Sequence, residues 1–254
     1  MAPRPVLVVC ALMLTAAACG GEPATPSPSP SPLAAVQTAV APTSDPLLPD
    51  APGTLVARAR AARFRIFEHP GPGAVMTAKL LAANDWQQPL WLPAIGAFTD
   101  VDGTVWYQVR VPVRPNGSTG WVRAGDVATR AVFERIVVDL SAHRLRRYVA
   151  GQPVQTLRVG VGSPAFPTTP GRFFVWARVP SADPRGPYGV MALGLSGFSE
   201  VITDWVGGGR MAIHGTTDPT DRGRDVSHGC VRVFNPQMMT LADVPLGTPV
   251  AIRP

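Results

Sequence analysis

The chain has 254 residues, which allows one large folded domain or two smaller ones. Hydrophobic residues make up 46% and charged residues 16%, which argues against a wholly disordered chain, while 29 prolines and 25 glycines argue against a helical bundle and favour β-structure with many turns. The net charge is +6, but no arginine cluster is interleaved with aromatic residues, so we expect no nucleic-acid partner.

Residues 1–19 have the composition of a secretory signal peptide. Arg4 precedes an apolar run over residues 6–18, which is shorter than the ~20 residues of a transmembrane helix. The following segment, Ala16-Ala17-Ala18-Cys19-Gly20, resembles the lipobox of bacterial lipoproteins, in which the cysteine is lipidated. We therefore expect export to the cell envelope and a membrane anchor on Cys19. Cleavage at an ordinary signal site, with Cys19 unmodified, is the alternative and would give a secreted protein.

Residues 20–52 are dominated by proline, serine, threonine and alanine, with Pro and Ser alternating over residues 26–32. Such a segment has too little apolar surface to offset its ordering entropy, and its prolines favour extended polyproline II. We predict a disordered, semi-rigid tether.

A first β module is predicted over residues 53–130. Short β-like runs occur at residues 55–57, 64–67, 90–92, 105–109 and 120–123, and a turn is predicted at residues 114–117. Segments 106–112 and 114–122 resemble a bacterial SH3-like module, which implies a small barrel. We expect its tryptophans to be core residues, with a ligand-binding shelf as the alternative.

Longer strands follow in the unit predicted over residues 131–254. The runs at 135–140, 144–149 and 154–161 predict an antiparallel meander, which the run at 173–179 is expected to continue. Met211 to Thr216 predicts a strand, and residues 249–252 predict the last one. A short helix is predicted with Asn235 as N-cap, Pro236 at the first helical position and its end at Ala242.

Cysteine usage leaves one candidate nucleophile. Cys10 lies in the signal segment and Cys19 at its end, so Cys230 is the remaining thiol and has no partner for an internal disulfide. A buried core cysteine is the alternative interpretation.

Two histidines flank this thiol in the sequence. His214 lies near the end of a predicted strand, and Cys230 belongs to Ser227-His228-Gly229-Cys230-Val231-Arg232 after a polar loop. Acyl transfer needs a thiolate, a neutral imidazole that takes the thiol proton, and backbone N–H groups for the oxyanion. We expect Gly229 and Cys230 to supply those N–H groups. His228 is either a second base or a residue that fixes the loop.

A metal site is the other possibility for these residues. His214, His228 and Cys230 could form a zinc set, with Asp218, Asp221 or Asp225 nearby, but no HExxH or CxxC motif is present. We therefore expect no metal and no cofactor.

The same residues resemble a known family. Ile213-His214-Gly215-Thr216 and the Ser-His-Gly-Cys segment, with Asn235 and the segments 168–173 and 247–250, are similar to the signature of the YkuD-type L,D-transpeptidase catalytic domain. The resemblance covers about 120 residues from Phe133 onward. It implies a mainly β chain, in which a small SH3-like barrel is followed by a YkuD-type β-sandwich with few short helices.

The resemblance implies that Cys230 is the nucleophile and His214 the general base, with the carbonyl of Gly215 orienting the imidazole. Ser227 and Arg232 would support the loop or the substrate. The implied reaction is a two-step acyl transfer on peptidoglycan stem peptides that forms 3–3 cross-links through a thioester, and we expect a monomer. His214 is further expected to hold the pKa of the thiol below its ordinary ~8.5.

Three other functions remain open on sequence grounds. Water could resolve the same acyl-enzyme, which would make the protein an L,D-carboxypeptidase. The chain could also be an inactive wall-binding lipoprotein. A cysteine protease is compatible with the chemistry, although here the histidine precedes the cysteine, unlike the papain-type order. The other histidines, His69 and His143, are expected at the surface or in turns.

Overall fold

The computed structural model describes residues 53–205 and 207–254. The predicted signal peptide, Cys19 and the predicted tether lie outside the described residues. The described residues fold mainly into β-strands, as predicted. None of the helices among them is both long and apolar enough to cross a membrane.

The first seven strands form one antiparallel sheet in the order β3-β2-β6-β5-β4-β1-β7. The strands are β1 (Thr54–Ala59), β2 (Arg63–Phe67), β3 (Met76–Leu81), β4 (Leu92–Thr99), β5 (Val105–Arg110), β6 (Thr119–Arg123) and β7 (Val127–Val132).

Four of the five predicted runs in this module are strands, namely β1, β2, β5 and β6. The run at 90–92 largely precedes β4, and strands β3 and β7 were not predicted. Strand β3 is almost wholly exposed, so it has no alternating apolar pattern to detect. The strand order ends at β3 and β7, and the SH3-like identity of this module stays a prediction.

The remaining chain builds an eight-stranded sheet in the order β10-β9-β8-β17-β12-β13-β14-β16, and β11 and β15 pair separately. The strands are β8 (Glu134–Asp139), β9 (Arg144–Val149), β10 (Gln152–Arg158), β11 (Val161–Gly162), β12 (Gly171–Pro180), β13 (Met191–Phe198), β14 (Arg210–Thr216), β15 (Asp225–Ser227), β16 (Val231–Phe234) and β17 (Pro249–Arg253).

The predicted meander is present as β8, β9 and β10, but the prediction that β12 continues it is wrong. The C-terminal strand β17 lies between them, parallel to β8 and antiparallel to β12. Four of its five residues are buried, which suits a strand covered on both faces in the centre of a sheet.

The predicted helix is shorter than expected. Helix α1 covers Asn235–Met238, and a 3₁₀ turn over Met239–Leu241 follows it. The N-cap is Phe234 rather than Asn235, because the Asn235 side chain makes its hydrogen bonds to a neighbouring loop instead. Pro236 is therefore at the second helical position rather than the first, so that prediction is wrong by one residue.

Strand β12 is buried on both faces. Phe173 and Val175 belong to the core of the eight-stranded sheet, whereas Phe174 and Trp176 belong to the core of the first module. Alternate residues of a strand point to opposite faces, so one strand serves both cores. The two sheets therefore share a packed interface.

We expect Phe174→Ala to destabilise both sheets together. The side chain is fully buried, and removing a buried phenylalanine costs about 3–5 kcal/mol. Chemical denaturation followed by tryptophan fluorescence should show a single transition, with its midpoint at a lower denaturant concentration than in the wild type. The control is Phe133→Ala. Because Phe133 is 59% exposed, this substitution should change the unfolding free energy by no more than about 0.5 kcal/mol. Two separate transitions in the wild type would contradict the shared core.

Candidate active site

Parallel pairing of β14 with β16 sets the geometry of the site. His214 lies opposite Arg232 in this pairing, and Cys230 directly precedes β16. His214, Cys230 and His228 line the same pocket, whose volume is about 170 Å³. The predicted meeting of the histidine and the thiol is thus present. The pocket is also lined by Tyr188, Ser199, Ile202, Trp205, Ser227, Gly229 and Arg232.

The His214 ring is held in one tautomer. His214 is only 4% exposed, and its Nδ1 lies 2.8 Å from the carbonyl oxygen of Gly215. A carbonyl can only accept a hydrogen bond, so Nδ1 carries the proton and Nε2 is free to accept one. The Tyr188 ring meets this imidazole edge to face at 5.2 Å between ring centres. This is the arrangement of an imidazole prepared to act as a base.

Burial controls the charge of His214. It lowers the pKa of the imidazole to about 4, the positive charge of Arg232 acts in the same direction, and the hydrogen bond to Gly215 and the charge of Asp221 oppose it. His214 is therefore neutral at physiological pH.

The thiol of Cys230 is also neutral at rest. Burial raises its pKa, while a hydrogen bond from the Ala212 backbone and the charge of Arg232 lower it less strongly. The expectation of a thiolate stabilised by His214 is wrong for the resting site, because the buried surroundings disfavour both charged forms. For this thiol to act as a nucleophile, its proton would have to move to the imidazole as it attacks.

Ser227 shapes the loop that carries the thiol. Its Oγ donates to the carbonyl of Cys230 and accepts the N–H of Gly229 at 3.1 Å. Gly229 has φ +107°, which other residues rarely adopt. Its N–H donates to Ser227 in this structure, so Cys230 N–H is the better candidate of that pair for an oxyanion, and the role of Gly229 stays a prediction.

Arg232 is fixed beside the pocket by an acidic partner. Its Nη1 lies 3.3 Å from Oδ2 of Asp221, and that same oxygen accepts a hydrogen bond of 2.8 Å from Thr216. Asp221 therefore binds both Thr216 and Arg232, and the supporting role of Arg232 stays a prediction.

His228 lies at the exposed edge of the pocket. Its ring is 4.8 Å from that of Phe166 and 5.5 Å from that of Trp205. These aromatic contacts favour the interpretation that His228 fixes the loop. Phe166, Tyr188 and Trp205 could not be predicted from the sequence, since isolated aromatic residues in Gly- and Pro-containing loops carry no periodic signal.

Asn235 ties another loop to the site. Its Oδ1 accepts the N–H of Val190 at 3.0 Å, and its Nδ2 donates to the carbonyl of Pro184 at 2.9 Å. Val190 and Pro184 both lie in the connection between β12 and β13, which also carries Tyr188. Asn235 therefore holds the segment that contacts the His214 ring.

The acidic residues considered for a metal site have other partners. Asp225 lies 2.8 Å from Nε2 of His143, and Asp218 accepts from the backbone of Thr220. Within residues 53–205 and 207–254, no three His, Cys, Asp or Glu side chains converge in a way that could hold a metal ion. His69 is exposed, whereas His143 joins a turn to β15, a contact that the sequence did not predict.

We expect the stability of the protein to fall in acid because of His214. The unfolded chain takes up the proton near pH 6.5, the folded chain only near pH 4, so the stabilisation present above pH 6.5 is lost as the pH falls toward 4. Between pH 7.5 and 4.5 this group should remove roughly 2–3 kcal/mol of unfolding free energy. The unfolding free energy of wild type and of His214→Gln is measured by denaturation at both pH values. The contribution of His214 is the difference between the losses that the two proteins show between pH 7.5 and 4.5. Equal losses in both proteins would contradict a buried neutral His214.

Comparison with known proteins agrees with this geometry. Residues 133–252 match the family model of the YkuD L,D-transpeptidase catalytic domain. Two relatives, both provisionally named L,D-transpeptidase YkuD, are similar: that of Bacillus licheniformis is 36% identical over 47% of this chain and 66% of its own length, and that of Bacillus subtilis is 32% identical over 46% and 65%. The chain thus spans slightly less than two thirds of either relative.

Among solved structures, the C442S mutant of the Enterococcus faecium L,D-transpeptidase is 25% identical over 48% of this chain and 50% of that one, with a TM-score of 0.38. The family match covers the strands, the histidine and the cysteine described above. Residues 133–252 are therefore similar to the YkuD L,D-transpeptidase catalytic domain in sequence.

Proposed function

We propose that the protein is a peptidoglycan L,D-transpeptidase, acting as a monomer in the bacterial cell envelope. The observation that carries the proposal is the shared pocket, in which Cys230 lies beside a buried His214 whose Nδ1 proton is fixed by Gly215. The match of residues 133–252 to the L,D-transpeptidase domain supports the substrate class.

In the first step the thiol of Cys230 attacks the carbonyl of the third residue of a tetrapeptide stem. Nε2 of His214 takes the thiol proton as the S–C bond forms, because both groups are neutral before attack. The N–H of Cys230 is the donor available to the oxyanion. Collapse expels D-alanine, whose nitrogen receives the proton from His214, and leaves a thioester.

In the second step an amine of a neighbouring stem attacks the thioester. Its proton passes to His214 and then to the sulfur of Cys230, which restores the resting site and forms the 3–3 cross-link. A thioester suits this step because a positioned amine can outcompete water for it.

We expect Cys230→Ala to abolish turnover of a disaccharide-tetrapeptide, because the variant cannot form the thioester. His214→Gln should reduce turnover by about 10²–10⁴-fold, since the base is lost. The matched control is His228→Gln, which should keep most activity because that ring packs against Phe166 and Trp205. Products are read by mass spectrometry.

The product decides between the possible functions. A cross-linked dimer supports the transpeptidase, whereas tripeptide alone would assign an L,D-carboxypeptidase. No product from folded wild-type protein would favour an inactive wall-binding lipoprotein. Loss of activity in His228→Gln but not in His214→Gln would reverse the roles of the two histidines.

We further propose that Cys19 is lipidated and that residues 20–52 tether the catalytic unit to the membrane. At ~3.1 Å per residue in polyproline II, the tether would reach roughly 100 Å at most, which suits a substrate outside the membrane. The two acyl chains of a diacylglyceryl group are sufficient for stable anchoring, whereas one chain is marginal.

We expect Cys19→Ala to move the protein from the membrane fraction to the soluble fraction or the medium, with unchanged activity of the purified protein. Fractionation and intact-mass analysis measure both anchoring and modification. Wild-type protein found mainly in the medium, with an unmodified N-terminus beyond Cys19, would refute the anchor and leave a secreted protein.

A further inference from the structure

One loop of the catalytic domain forms a wall of the pocket and is held by the first module. We call residues 199–205 and 207–209 the wall loop. Ser199, Ile202, Trp205 and Gly209 of this loop line the pocket that contains Cys230 and His214. The turn between β5 and β6 of the first module, at residues 111–118, contacts the wall loop through two side chains.

The first contact is made by Arg114. Its Nη2 lies 2.9 Å from the carbonyl oxygen of Ser199, 3.0 Å from that of Gly208 and 3.4 Å from that of Ile202. Its guanidinium carbon lies 4.8 Å from the centre of the Phe198 ring. A guanidinium is charged at all physiological pH values, so these donors are always available.

The second contact is made by Asn116 at the end of β13. Its Oδ1 accepts the N–H of Phe198 at 2.9 Å, and its Nδ2 donates to the carbonyl of the same residue at 2.8 Å. One amide side chain thus occupies both backbone groups of Phe198, as a neighbouring strand would. Asn116 also donates to Glu200 at 2.6 Å.

The internal hydrogen bonds of the wall loop leave these carbonyls to Arg114. Ser199 N–H donates to Gly209 at 2.8 Å and closes the loop, and Ser199 Oγ accepts from Ile202 N–H at 3.0 Å. The carbonyls of Ser199, Ile202 and Gly208 converge on one nitrogen. Without a cation between them, three partially negative oxygens would face one another.

We propose that Arg114 is a positioning residue of the enzyme, which acts from the first module through the wall loop. Arg114 does not line the pocket. It holds the loop that presents Ile202 and Trp205 to the pocket and to His228, and thereby shapes the region where a stem peptide binds. This inference rests on the proposed function for its substrate, but the contact itself is independent of it.

The test compares Arg114→Met with Arg63→Met in the full chain. Arg63 is an exposed arginine of the same module, so its variant controls for loss of charge. Hydrogen exchange by mass spectrometry should be about 10- to 100-fold faster in wall-loop peptides of Arg114→Met only, the effect of losing hydrogen bonds to a charged group. Exchange in β8 and β9 should stay unchanged.

Two kinetic readouts separate positioning from chemistry. Alkylation of Cys230 by iodoacetamide should stay within about twofold of wild type, because the His214–Gly215 contact is untouched. The kcat/KM for a disaccharide-tetrapeptide should fall by about tenfold or more, mainly through KM. Arg114→Lys should be intermediate in both exchange and KM, since it keeps the charge but not the planar fork.

Three results would overturn the proposal: unchanged exchange in the wall loop, faster exchange spread equally over β8 and β9, or no recovery in Arg114→Lys. If Arg114→Met does not fold, Arg114→Lys and Asn116→Ala are compared with Arg63→Met in the same exchange and kinetic measurements. If wild-type protein turns over no tetrapeptide, the proposed function fails, while the exchange data still decide the role of Arg114.

Discussion

The packing of β12 on both faces is the constraint from which the rest of the structure follows. One face, with Phe173 and Val175, packs in the core of the eight-stranded sheet. The strand itself pairs with β13, which pairs in turn with β14, the strand that carries His214. The other face, with Phe174 and Trp176, packs against the first module. A shift of this strand would therefore move His214 and the first module together, because interiors are close-packed and transmit strain.

Arg210, which lines the pocket, also contacts the first module. Arg210 of β14 lies over the Trp176 ring at 3.9 Å and over the Phe198 ring at 4.3 Å, and its Nη2 donates to the carbonyl of Pro112 at 3.4 Å. Burial lowers the pKa of this guanidinium to about 10, which still leaves it charged at neutral pH. The contact between the two sheets is thus continued by arginine–aromatic stacking toward the wall loop.

The residues that meet in the pocket could be predicted from the sequence, whereas most of the contacts around them could not. His214, Cys230 and the Gly215 carbonyl were predictable, since a short motif fixes them by local spacing. The position of β17 was not, because a buried apolar strand can pair with several neighbours and only the packed sheet selects one. The contacts of Arg114, Asn116 and Asn235 also escaped prediction. Each joins segments tens of residues apart, and a single polar side chain in a turn does not indicate its distant partner.

The contact of Asn235 explains why a glycine must follow His214. A Cβ on Gly215 would lie 2.3 Å from Oδ1 of Asn235, and a Cβ on Gly189 would lie 2.2 Å from the same atom. Any larger residue at either position would displace the amide that binds Val190 N–H, and with it the segment that holds Tyr188 against the imidazole. Gly215 therefore has two roles in one residue: its carbonyl orients His214, and its missing side chain admits Asn235.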